Sequence, residues 1–152
     1  MWRRPILVLL AGAALATPLA QAEPPLIEPA PSQDLVDSST CAFPVSVHYT
    51  VNGETAKTFS SGKVIVTGPL AAQFSANGKS LTVNISGPVT ITPTPDGSVT
   101  IFGRGVGAGP IMTSNGVTLG YAAGPVTINP DSGIAVLEHG TLRLDICAAL
   151  AV

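Results

Sequence analysis

The stretch with the strongest outward claim to chemistry is Phe102-Gly103-Arg104-Gly105-Val106-Gly107-Ala108-Gly109-Pro110. Gly103, Gly105 and Ala108 match the G-x-G-x-x-[G/A] spacing that brings a backbone close to a dinucleotide pyrophosphate, and a strand-like "SVTI" precedes them. That chemistry needs a helix immediately after the glycines, with its N-terminus facing the phosphates. Pro110 and the turn residues Asn115-Gly116 leave no room for one. The alternation itself has a different consequence. In an extended chain Gly103, Gly105, Gly107 and Gly109 share one face, and that face has no side chains. Arg104, Val106 and Ala108 point the other way. A second layer can then approach very closely, the segment can be a mobile loop, or a ligand can lie on the bare backbone.

The remaining candidates are scattered. His48 lies on the face of its strand opposite Val47 and Tyr49, which places it in solvent or at an edge. His139 precedes Gly140 in a turn. A Ser-His-Asp triad needs a serine on a sharp turn beside one of these. No G-x-S-x-G is present, and "FSSGK" is only a turn. His48, His139, Asp131 and Glu138 lack metal-ligand spacing. Asp96 and Asp131 read as turn caps, since no D-x-D-x-D run accompanies them. Glu54, Glu138 and Asp145 are acids with no spacing that marks a glycosidase pair. Thr90, Thr92 and Thr94 form a short row that could match ice or a glycan, although Thr is an ordinary strand-surface residue. The sequence therefore assigns no catalytic, cofactor-binding or metal-ligating residue, and no cofactor.

The elements that would hold these residues are strands. Between Cys41 and the C-terminus, short runs of Val, Ile, Thr and Phe alternate with turn residues every 8–12 positions. Candidate strands are 44–51, 63–67, 70–76, 80–86, 89–94, 98–102, 111–113, 117–123, 126–129, 134–138 and 141–148. Asn77-Gly78 is a tight hairpin signal, and Pro95-Asp96-Gly97 marks another turn. No segment shows helical apolar spacing over three turns. Hydrophobic residues make up 45% of the chain and charged residues 11%, which suits strands that share one core. The expectation is an all-β, single antiparallel β-sandwich or flattened barrel of about 8–11 short strands, over residues 41–152. Gly-Pro recurs at 68–69, 87–88, 109–110 and 124–125, without a fixed period. Pro cannot donate to a ladder, so each pair is expected at a corner or sheet switch.

The ends of the chain set the compartment. Trp2-Arg3-Arg4, an apolar run from Ile6 to Ala16 and Leu19-Ala20-Gln21-Ala22 read as a secretory signal peptide over residues 1–22, cleaved before Glu23. Residues 23–40 carry four Pro and four acids and read as a flexible leader. No later stretch is apolar for the roughly 20 residues a spanning helix requires. Beyond residue 22 there are five basic and nine acidic side chains, a net charge of −4, which argues against nucleic acid as a partner. In an exported chain the only two cysteines, Cys41 and Cys147, read as a disulfide that sets the first and last strands side by side.

"CAFPVSVHYTVNGE", "GKSLTVNISGP", "PDGSVTIFGRG" and "HGTLRLDICAALA" together resemble a group of small exported proteins of high-GC actinobacteria. The resemblance spans nearly all of 41–150 and implies export and the cysteine pairing, and no activity. The function expected is that of an exported, non-enzymatic β domain with a binding or structural role at the cell envelope or outside the cell. Its partner would be an envelope glycan or protein. The alternative is a small secreted hydrolase with a site assembled from loops. A hydrolase would gather ionisable groups in a cleft, for instance His48 or His139 beside an acid. A binding module would show a flat or shallow face.

Overall fold

The structure is a computed structural model and describes residues 23–152, so the expected signal segment lies outside the described residues. Its strands in chain order are β1 (Leu26–Pro29), β2 (Leu35–Asp37), β3 (Val45–Asn52), β4 (Thr55–Thr58), β5 (Val64–Thr67), β6 (Leu70–Ala76) and β7 (Lys79–Asn84). Then follow β8 (Val89–Pro93), β9 (Val99–Gly103), β10 (Val106–Thr113), β11 (Gly116–Ala123), β12 (Val126–Ile128), β13 (Ala135–Leu137) and β14 (Thr141–Asp145), and one short helix, α1 (Ile146–Leu150). They form a ten-stranded sheet, β1-β4-β5-β8-β9-β12-β13-β10-β11-β14, and a four-stranded sheet, β2-β3-β6-β7. The pairing is antiparallel except between β10 and β13. The fold is all-β and sandwich-like, and neither sheet closes into a barrel.

The dense core lies between the four-stranded sheet and one face of β10, β11 and β14. Val45 and Val47 of β3, Leu70, Ala72 and Phe74 of β6, Leu119 of β11, and Ile146 and Leu150 of α1 are buried together. Alternation along each strand selects them, and each fully buried large side chain contributes about 1.5–3 kcal/mol. A bulge between Tyr49 and Val51 breaks the alternation in β3. Val51, which unbroken alternation would place on the inner face with Val45 and Val47, is exposed as a result.

Turns set the hairpins. Asn77 and Gly78 both have positive φ, 53° and 74°, the requirement of the tightest hairpin loop, and they join β6 to β7. Asn77 Nδ2 also donates to the Leu150 carbonyl, which fixes the hairpin to α1. Asp145 caps α1, its side chain accepting from the Ala148 amide and from the Thr118 hydroxyl.

Cys41 and Cys147 are joined, with Cα atoms 5.4 Å apart. The bridge differs from expectation in one respect. Cys147 sits on α1 and not on a final strand, so the bond ties the segment before β3 to the helix after β14. It therefore links the two sheets and does not align neighbouring strands. Closing a loop of this size contributes about 4–5 kcal/mol on the chain-entropy account. No helix among the described residues is long and apolar enough to cross a membrane.

Residues 23–40, expected as a flexible leader from their Pro and acid content, contribute two short strands. Leu26–Pro29 pairs with β4 and forms the edge of the larger sheet, while Leu35–Asp37 pairs with β3. Backbone hydrogen bonds offered by neighbouring strands override a composition that has no β pattern of its own. With β4, they take the strand count to fourteen, above the 8–11 expected. Three of the Gly-Pro pairs behave as anticipated. Gly68-Pro69 and Gly87-Pro88 stand where the chain crosses between sheets, and Gly124-Pro125 joins β11 to β12. Gly68 has φ of +146°, and a Cβ there would collide with the Gly53 carbonyl, so only glycine fits this crossing. Gly109-Pro110 breaks the rule by lying inside β10. Its strand is paired with β13 only at Ile111↔Ala135, so few ladder bonds on that side compete with the proline.

Candidate functional site

The two faces of β10 and β11 differ. Ala108 and Leu119 look toward the dense core with Tyr121. Gly107, Gly109 and Ile111 look the other way, as do Gly120 and Ala122 across the ladder. The registers extend this second face across the sheet. Val66, Val89, Gly103, Val126 and Leu137 stand in one cross-strand row, and Val64, Ile91, Ile101, Ile128, Ala135 and Ile111 in the next.

A cavity of about 410 Å³ lies on that face, lined from Val66 on β5 to Ala122 on β11, with Leu70 and Ile85 also in its lining. Between β5 and β11 the sheet order runs through six strand spacings. Laid flat, these would cover about 29 Å. A single cavity of this size can touch both strands only if the sheet curls around it. The volume falls in the range of about 300–1,000 Å³ typical of small-ligand sites.

The glycines make the space. A Cβ added at Gly107 or Gly109 would meet no atom within 4 Å, although both residues line the cavity. A Cβ at Gly103 would approach Val126 Cγ2 to 2.9 Å, and one at Gly120 would approach Leu142 Cδ1 to 2.6 Å. The glycines of β9, β10 and β11 thus have two structural roles. Gly103 and Gly120 admit close neighbours, and Gly107 and Gly109 leave a bare floor beneath open volume. The stretch is a turn at Arg104-Gly105 running into a regular strand, neither a phosphate loop nor a mobile one.

Three polar residues belong to the lining: Tyr49, Glu54 and Arg104. Glu54, between β3 and β4, is half-buried, and that burial raises its carboxyl above the ordinary range. Burial also raises the Tyr49 hydroxyl, helped by the charges of Glu54 and Asp34 and opposed by a hydrogen bond with Ser32. Arg104 is exposed, with its guanidinium 5.2 Å from the Phe102 ring centroid.

The other candidates lie elsewhere. His48 Nδ1 is 2.6 Å from Asp34 Oδ2, and Asp34 also accepts the Tyr49 amide. The His48 hydrogen bond, then the Tyr49 amide, hold Asp34 below the usual carboxylate range. Both side chains are more than half exposed, and neither lines the cavity. The pair straps residues 30–37 onto the four-stranded sheet. His139 and Glu138 border a shallow cleft on the outer side with Phe102, Arg104 and Pro125, and Glu138 accepts from the Thr127 hydroxyl. Asp96 caps its turn as expected, accepting from Thr94 and Ser98, which holds its pKa at about 2. At the next turn Asn129 does the capping, and the Asp131 amide is one of its donors. Thr94 is drawn into the Asp96 turn, which leaves Thr90 and Thr92 on the outer face of β8. Among the described residues no group of three or more His, Cys, Asp or Glu could hold a metal ion.

No family model, no curated protein and no solved structure matches the chain. The cavity must therefore speak for itself. Sequence reasoning found its floor, as a bare glycine face, and missed its walls. Their signal was the repeated Val and Ile on strands whose partners only the register reveals. The lining is concave and apolar, not the flat or shallow face expected of a binding module. Its ionisable residues are Tyr49, Glu54 and Arg104, while His48 and His139 lie outside it.

Proposed function

We propose that the protein is an exported, non-enzymatic binding domain that holds a small apolar ligand inside the curl of its larger sheet. One observation carries this reading: strand β10 spends two interior positions, Gly107 and Gly109, on open cavity. Glycine within a strand costs about 0.5–1 kcal/mol relative to Ala and buries nothing. A protein selected for stability alone would gain by filling that space. Keeping it empty makes sense if something else occupies it. The disulfide suits an oxidising compartment, and the N-terminal segment supports export.

A second reading, a small secreted hydrolase, draws on the His48–Asp34 contact. That pair is exposed, lies apart from the cavity and already holds an N-terminal strap, so the binding reading explains more of the molecule.

The test is a titration with a neutral, environment-sensitive naphthylamine probe. Wild type should bind it saturably near one to one, and Gly109→Val, which fills the floor without a steric clash at Cβ, should abolish binding while remaining folded. Binding unchanged in folded Gly109→Val would refute the cavity as the site.

A further inference from the structure

We infer that the ligand is an amphiphile whose polar end is a hydrogen-bond donor, an amine above all, seated at Glu54 with its apolar part running along the strands toward Ile128 and Ala135. This rests on the cavity being a ligand site.

The first argument is the asymmetry of the lining. In the row of Val66, Val89, Gly103 and Val126 the wall is wholly apolar. One step further toward the same end of the strands come Gly87, Arg104, Gly105 and Gly124, with Glu54 packed beside Gly68 at that level. One step the other way come Ile91, Ile101 and Ile128, which continue to Ala135 and Ile111. Glu54 therefore stands at one end, with Tyr49 near enough for its charge to act on that hydroxyl, and the other end is hydrocarbon. At about 30 Å³ for each water-sized unit, the cavity holds on the order of a dozen heavy atoms. That suits a medium-length alkyl chain with a single head group.

The second argument concerns the charge of the head. Glu54 is half-buried, and among the described residues the one ion pair is His48–Asp34, so no cation partners it. Burial alone raises its carboxyl. A carboxylate that has lost water without gaining a partner is most improved by a donor, and most of all by a charged one. Arg104 does not offset this from within. Its side chain is exposed and its guanidinium lies over Phe102, which faces the outer cleft. A carboxylate head would bring a second negative charge to Glu54, and a head-less hydrocarbon would cover Glu54 and leave it unsatisfied.

The experiment displaces the naphthylamine probe with dodecylamine, dodecanol and dodecanoate, each below its aggregation threshold, at neutral pH and moderate salt. The expected order is amine, then alcohol, then carboxylate, with the amine about tenfold or more tighter than the carboxylate. Glu54→Gln should erase the amine's advantage over the carboxylate, each ligand being ranked against the probe in the same folded variant. Equal or tighter binding of dodecanoate, or an amine preference that survives Glu54→Gln, overturns the head-group inference while probe binding still supports the cavity. Failure of wild type to bind the probe or any alkyl chain overturns the cavity reading, and this inference with it.

Discussion

Strands β10 and β11 serve two regions of opposite character. Toward the four-stranded sheet, Ala108, Leu119 and Tyr121 meet Val45, Val47, Phe74, Ile146 and Leu150 in a filled interior. Toward the curl of their own sheet, Gly107 and Gly109 face open volume. The same ladder holds both, so backbone pairing does not distinguish them. Side-chain volume does. Stability resides in the filled region, and the hollow one is available for binding because little of the fold depends on its being occupied.

Substitutions on each side should separate the two. Phe74→Ala empties the filled region and should cost about 3–5 kcal/mol in denaturant unfolding, by lost transfer energy and the cavity left behind. An effect well under 1 kcal/mol would mean that the apparent core is loose. Replacing both cysteines with serine frees the link between the sheets and should cost about 2–5 kcal/mol, read as a lower unfolding midpoint matching that of reduced wild type. Native protein that carries two free thiols would remove the bond from the account.

In the hollow region the sign should reverse. Gly109→Ala places a methyl group where nothing stands within 4 Å, so stability should rise by about 0.5–1 kcal/mol. A loss of that size would show the floor to be filled already. The smallest effect belongs to the outer turns, where pH is the probe. Asp96 has its carboxyl lowered from 3.8 to about 2 by the Thr94 and Ser98 hydroxyls and the Ser98 amide. Its ionised form is favoured by folding, so its contribution is fully present above about pH 4 and disappears as pH falls through about 2. Asp34, lowered by His48 and the Tyr49 amide, acts with the same sign. Asp96→Asn should flatten the acid limb of the unfolding midpoint against pH, and a limb of unchanged slope would assign the acid sensitivity elsewhere.

The contrast also marks what the sequence made legible. Alternating Val and Ile announced most of the strands, and Asn77-Gly78 announced its hairpin, because these signals are local. The strands at Leu26–Pro29, Leu35–Asp37 and Thr55–Thr58 were silent, since each is only three or four residues long, too short to show alternation, and is held by pairing with other segments. The glycine run was visible as a bare face, yet whether a layer, solvent or a cavity opposed it depended on the curl of ten strands, which no short window contains. The role of Glu54 was equally hidden. It stands out only once Gly68 and the cavity wall are beside it.

The most direct measurement of the central claim is an amide chemical-shift map of the protein titrated with a neutral apolar ligand. Shifts should concentrate at Gly103, Gly107, Gly109, Val126 and Ile128, and those of Val45, Val47 and Phe74 should stay still. Shifts confined to exposed apolar positions such as Leu26, Ile27, Val36 and Met112, with the glycine floor unmoved, would contradict it.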